Sequence, residues 1–388
     1  MGIRWGRVFR RGMAVCFAAV TLWLLLTAAA AGAAGGLTGD GELVAAVLRT
    51  ELGEVDSPLP FWQRLAVSQS LLLERNPGKP GELSDRPSAG PTMTAEPLPN
   101  AQPAPDHDDV HDRPQTTAAP EDIVERTLTP VSSEGYDTGA GLYLYNRTDR
   151  GVDLAAALYQ ELPFSLAPAA AGPQILIIHT HTTEAYTPDG VDVYAPSDNN
   201  TRTLEEPYNM LRVGDEMEAV FTEMGLSVVH DRGVYDYPAY NGAYGRSGAA
   251  VEEYLAQYPT IKLVLDVHRD ALVGGDGTVY KAVTTVDRVK TAQVMVVVGT
   301  DAGGSDHPGW RNNLALAARL QKNLDTLYPT LARPIALRQS AYNQALCPGS
   351  LLVEVGTHGN TLQEALAGAR AFARAAGAVF LSLVAENA

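Results

Sequence analysis

Cysteine is almost missing from this chain: its 388 residues include two, Cys16 and Cys347. Cys16 sits inside an apolar N-terminal run, so a bridge to Cys347 is not expected. A thiolate zinc cage is excluded, because it takes three or four ligands that are mostly Cys. The fold must be held by its core alone. Positive charge is also scarce, with 29 Lys and Arg against 45 Asp and Glu and a formal net charge of −16. Phosphate backbones need clustered Lys and Arg, and none occurs beyond the N-terminal segment, so no nucleic-acid partner is expected. The sequence has no G-x-S-x-G elbow, Walker loop or H-E-x-x-H helix, which disfavours serine hydrolases, P-loop enzymes and thermolysin-like proteases. It has no internal repeat.

What is present is ordered along the chain. Arg4, Arg7, Arg10 and Arg11 precede an uncharged run from Gly12 to Gly39. About 20 apolar residues suffice to span a bilayer, and basic residues ahead of the span keep the N-terminus in the cytoplasm. Residues 1–39 therefore read as an Arg-rich tip and a transmembrane anchor. A cleaved signal peptide is the alternative, since Ala28–Ala34 offers A-x-A sites. Both place the body outside the cytoplasm. Residues 40–76 read as a short helical region. Residues 77–122 hold ten prolines and little apolar content, the composition of a disordered linker.

Residues 123–388 read as one catalytic α/β domain. Apolar runs at Gln174–His179, Leu226–His230, Ile261–His268 and Ser350–Gly356 predict buried strands. Periodic segments at Tyr208–Met224, Gly248–Tyr258, Trp310–Tyr328 and Thr361–Val384 predict helices between and after them. Val279–Val286 and Gln293–Gly299 read as a hairpin or adjacent strands. Continuous apolar strands alternating with helices imply a layered, largely parallel or mixed sheet with helices on both faces.

The polar residues fall where such strands end. The first run ends in His179, the second in His230, the third in His268 with Arg269 and Asp270, and the last carries Glu354. Ligands of open α/β sheets bind outside the carboxyl ends of the strands. A catalytic zinc takes three protein ligands, and a His2Glu set is common. A further carboxylate can move the proton from water to the leaving group. His179, Glu184 and His268 are the expected metal ligands, and Glu354 is the expected base. Glu354 is flanked by valines, and an unpaired buried charge is costly without such a role. His179 and His181 would share a side if the strand continued. His181, Glu205, Glu206 and His230 stay open as alternatives to Glu184. His181, His230, Arg269, Asp270, Tyr244 and Arg246 are candidates for contacting substrate or bracing the ligands. Asp266 is a candidate for orienting an imidazole.

The segments ILIIHTHTTEAYTP, VVHDRGVYDYPAYNGAYGRS, LDVHRDA, HPGWRNNLALAARLQ and RPIALRQSAYNQALCPGSLLVEVGTHGNTLQEAL together resemble the stage II sporulation protein P family. The resemblance covers about residues 140–384. It implies a hydrolase that cleaves the N-acetylmuramoyl–L-alanine amide of peptidoglycan and also peptide cross-links during engulfment. It implies a retained single-pass anchor in the mother-cell membrane, an extracytoplasmic catalytic domain, and action with the lytic transglycosylase stage II sporulation protein D. More distantly the domain resembles zinc-dependent muramoyl-alanine amidases, to which His179, His268 and Glu354 correspond by order and strand position. A zinc peptidase or carboxypeptidase on wall peptides, or a non-catalytic wall-binding scaffold, are the alternative readings.

Overall fold

A computed structural model describes residues 123–198 and 201–385. The expected anchor over 1–39, the helical region over 40–76 and the linker over 77–122 lie outside the described residues. No helix among those described is long and apolar enough to cross a membrane.

In chain order the elements are β1 (Ile123–Arg126), β2 (Asp137–Gly139), β3 (Leu142–Asn146), α1 (Leu154–Tyr159), β4 (Ile175–Ile178), α2 (Met210–Glu223), β5 (Val228–His230), α3 (Ala243–Gln257) and β6 (Leu263–Asp270). They continue with β7 (Val279–Val286), β8 (Val289–Ala292), β9 (Val294–Val298), α4 (Trp310–Leu327), β10 (Ile335–Leu337), β11 (Ser350–Thr357) and α5 (Leu362–Leu381). Eight strands form one mixed sheet in the order β2-β3-β10-β9-β11-β6-β4-β5. β11, β6, β4 and β5 lie side by side and parallel. β9 runs antiparallel to β11, and β10 and β3 follow the direction of β9. The carboxyl ends of β4, β5, β6 and β11 therefore share one edge, as the apolar runs implied.

Every residue of β4 and β9 is buried. Each fully buried Val, Leu or Ile side chain contributes about 1.5–3 kcal/mol relative to exposure, so these short strands anchor the sheet. Alternation divides β4 between two layers. Leu176 and Ile178 pack with Ala250, Val251 and Tyr254 of α3. His179, which continues the odd-numbered set, lies against Gly214 of α2, so α2 covers the opposite face. α2 packs beside α5, and α5 beside α4. Asn209 caps α2 by accepting from the Leu211 amide, and Thr361 with Glu364 forms a capping box on α5.

Two expectations change. Val279–Val286 does not pair with the strand that follows Gln293. β7 turns back on β8, and these join β1 in a separate three-stranded sheet. β9 instead crosses into the main sheet, because its wholly buried side chains need cover on both faces. The helix expected from Gly248 begins five residues earlier, at Ala243, and takes in Tyr244 from the end of the tyrosine-rich loop between β5 and α3.

Candidate active site

β4 stops at Ile178, and the next residues turn rather than extend. Asp236 fixes the turn, its carboxylate accepting from the Thr183 amide at 3.2 Å and the Thr183 hydroxyl at 2.6 Å. The Glu184 amide donates to the His181 carbonyl at 3.1 Å. Period-two alternation is lost at this point, so His179 and His181 part company. His179 stays in the layer under α2, and its Nε2 lies 2.9 Å from His230 Nε2. His181 rises to the sheet edge and stacks on Tyr240, the ring centroids 4.5 Å apart.

The edge holds an open cavity lined by His181, Glu184, His268, Glu354, Tyr240, Tyr244, Tyr342, Arg269 and Asp270 among others. The rings of His181 and His268 meet edge-on at 5.2 Å. The turn folds Glu184 back over β6, where its Oε2 accepts from the Arg269 amide at 3.1 Å and lies 3.6 Å from His268 Nδ1. His268 Nε2 is 2.8 Å from Asp266 Oδ1, and Asp266 also accepts from the Thr180 amide and hydroxyl. Glu354 sits opposite His268 in the parallel β11–β6 register.

Electrostatics distinguishes the two carboxylates. Burial raises the pKa of Glu184, but Arg269 and then His268 outweigh it and hold the group well below the usual carboxylate range. Glu354 is pushed up to about 8, first by burial and then by the negative charge of Asp270. One carboxylate is a fixed anion; the other can hold or release a proton near neutral pH. His268 is raised well above an ordinary imidazole, because Asp266 and Glu184 overcome the burial that would lower it.

The donor set fits a zinc-class ion. Two imidazoles and a carboxylate occupy one wall, and Asp266 holds His268 from behind as an outer carboxylate orients a ligating imidazole. Glu354 Oε2 has no hydrogen-bond partner in the protein. His181 Nε2 lies 2.8 Å from the Tyr240 hydroxyl, which leaves Nδ1 as its ligating nitrogen. Among the described residues the set of ligand atoms gathered within 4.8 Å is a different one, Asp215, Glu218 and His230, outside the cavity.

Of the residues singled out from the sequence, Glu184, His268, Glu354, His181, Tyr244, Arg269 and Asp270 meet at the cavity. His179 and His230 do not: both rings lie beneath α2 against Gly214, His179 ahead of the turn after Ile178 and His230 at the end of β5. Arg246 does not either: it donates to the Tyr235, Asn241 and Ala239 carbonyls and braces the tyrosine loop from the first turn of α3. Arg269 Nε donates to the Ala185 carbonyl, and Asp270 Oδ2 lies 2.6 Å from Arg333 Nη1. Glu205 accepts from the Ala195 amide and Glu206 pairs with Arg232, both away from the cavity. Tyr342 carried no signal in the sequence. It lies in the loop before β11 with a left-handed backbone, and only the fold brings it to Tyr244, at a ring separation of 5.7 Å.

Residues 106–377 match the family described as Stage II sporulation protein P. Stage II sporulation protein P of Bacillus subtilis (strain 168) is 25% identical over 205 residues, which cover 49% of this chain and 47% of that protein. The match thus spans about half the length of that relative. Among solved structures, N-acetylmuramoyl-L-alanine amidase AmiC2 of Nostoc punctiforme is 16% identical with a TM-score of 0.31, covering 54% of this chain and 96% of that one. The CwlD amidase from Clostridioides difficile, solved with the GerS lipoprotein, is 14% identical with a TM-score of 0.31, covering 54% and 95%. The family match takes in the cavity and all eight strands of the main sheet, and the chain belongs to the stage II sporulation protein P family.

Proposed function

We propose that this chain is a zinc-dependent peptidoglycan hydrolase that cleaves the N-acetylmuramoyl–L-alanine amide, and peptide cross-links as well, during engulfment. The observation that carries the reading is the gathering of His181, Glu184, His268 and Glu354 around one cavity at the parallel strand ends. Membership of the family supports the wall as substrate. His181, Glu184 and His268 would hold the ion, with His181 in the place first assigned to His179. Bound there, zinc supplies Lewis-acid polarisation of the scissile carbonyl.

The protein groups do the rest. Glu354 takes a proton from the attacking water on a carboxylate oxygen and returns it to the departing nitrogen. Asp266 keeps the His268 ring in one orientation. Tyr244 and Tyr342 line the cavity, where a sugar ring or peptide stem can lie against them. An N-terminal anchor would hold the domain at the membrane, beside stage II sporulation protein D as partner.

Digestion of purified peptidoglycan by the full chain with zinc tests the reading. New N-terminal alanine, with no new reducing ends on the glycan, is the expected product. Glu354→Gln should lower the rate at least 100-fold while keeping zinc and the melting temperature. Release of D-alanine alone would replace the amidase with a carboxypeptidase, and no product at all would leave the scaffold.

A further inference from the structure

The layer beneath the cavity carries polar chemistry that wall hydrolysis does not use. His179 is fully buried, and its Nδ1 lies 2.8 Å from the Val267 carbonyl. A carbonyl only accepts, so this nitrogen bears the proton. With that nitrogen donating, a neutral His179 ring presents a lone pair at Nε2. That lone pair faces His230 Nε2 at 2.9 Å, and His230 must donate there. The remaining nitrogen of His230, Nδ1, is then a lone pair when the ring is neutral. It lies 3.2 Å from Asp215 Oδ1 and 3.5 Å from Glu218 Oε2.

A lone pair opposite two carboxylates calls for a cation between them. A proton on Nδ1 would meet that need in part, with the Asp215 and Glu218 oxygens 3.2 and 3.5 Å away, but neither oxygen lies in hydrogen-bonding geometry and Glu218 Oε1 has no partner. A metal asks for something different, donors arranged around a common point. The ligand atoms of Asp215, Glu218 and His230 lie within 4.8 Å of one another. Small side-chain rotations would close that spread onto an ion bound at about 2.0–2.2 Å. Asp215 and Glu218 are three residues apart on α2 and share its inner side. Arg232 Nη1 holds Asp215 Oδ1 at 2.7 Å and offsets one of the two negative charges, so the site is not a simple acidic patch.

We propose that Asp215, Glu218 and His230 bind a second divalent cation of the zinc class. One imidazole and two carboxylates suit such an ion. Its role is structural: it pins α2 to the end of β5. Through His230 and His179 it also fixes the hydrogen bond on the Val267 carbonyl, next to His268.

The test is metal content of the purified full chain, stripped with chelator and titrated with zinc. The wild type should take up two equivalents, and Glu218→Gln and Asp215→Asn should each take up one, with at least tenfold weaker binding of the other. Both side chains are partly exposed, so these variants retain the core. His181→Ala should also keep one equivalent, and its melting temperature should still rise when that zinc is restored. Two outcomes overturn the proposal: unchanged stoichiometry and affinity in Glu218→Gln and Asp215→Asn, or a single wild-type equivalent that His181→Ala abolishes. A single equivalent abolished by Glu218→Gln but kept by His181→Ala would uphold this site and sink the cavity as the metal centre.

Discussion

At the scale of residues, two histidines two positions apart have different work. His181 lies among tyrosines at the cavity. His179 is sealed between a backbone carbonyl and a second imidazole. Replacing each by alanine should separate chemistry from stability. His181→Ala should lose cavity zinc and at least 100-fold of the hydrolytic rate with little change in melting temperature. His179→Ala orphans a buried carbonyl and a buried imidazole N–H, each costing about 1–3 kcal/mol. It should therefore lower the urea midpoint sharply while the folded fraction still binds zinc at the cavity. Equal loss of rate per folded molecule in both variants would contradict this division. The sequence showed H-T-H but not which histidine turns inward, because that depends on where β4 stops.

Secondary-structure elements bring their own constraints. Gly214 of α2 lies against the rings of His230 and His179, and a Cβ there would overlap both. Neither ring can retreat, so Gly214→Ala should destabilise by at least about 2 kcal/mol, the range of overpacked cores; denaturant unfolding would measure it. Asp325 lies in the last turn of α4, where a negative charge opposes the helix dipole. Burial raises its pKa to about 6. The folded state therefore holds this proton more tightly than the unfolded chain, whose Asp titrates near 3.9. Its contribution to stability falls as pH rises from about 4 to about 6 and stays low above that. Asp325→Asn should raise stability at pH 7 by about 1 kcal/mol, after discounting for its partial exposure. The gain should vanish at pH 4, and a melting-temperature gain that persists there would refute it.

For the whole molecule, distant parts of the chain complete one sheet. β3 near the start of the described residues pairs with β10 near the end, with Leu142 and Leu144 buried against the domain. β1 likewise pairs with β7, and Lys281 on β7 bridges Glu125 of β1 at 3.0 Å and Glu364 of α5 at 2.9 Å. A chain starting at residue 150 would leave β10 as an exposed edge above an open core. It should aggregate or melt several degrees lower than a chain starting at residue 123, as light scattering and calorimetry would show. β1, β8 and β10 were not legible in the strand pattern, because three or four residues hold too little periodicity to mark a strand.

Residue type alone settled that apolar strands alternate with helices and that ionisable groups end the strands, since burial imposes both. The sequence also carried the family, because several separate motifs occur in order. Packing in three dimensions settled that β9 turns antiparallel and that Arg246 braces a loop rather than facing the cavity. It also decided that His181, not His179, stands beside Glu184 and His268, and that Asp215 and Glu218 meet His230. These are facts of direction: which way a side chain points once a strand ends depends on the turn and on the helix packed above it, and neither is written in local spacing.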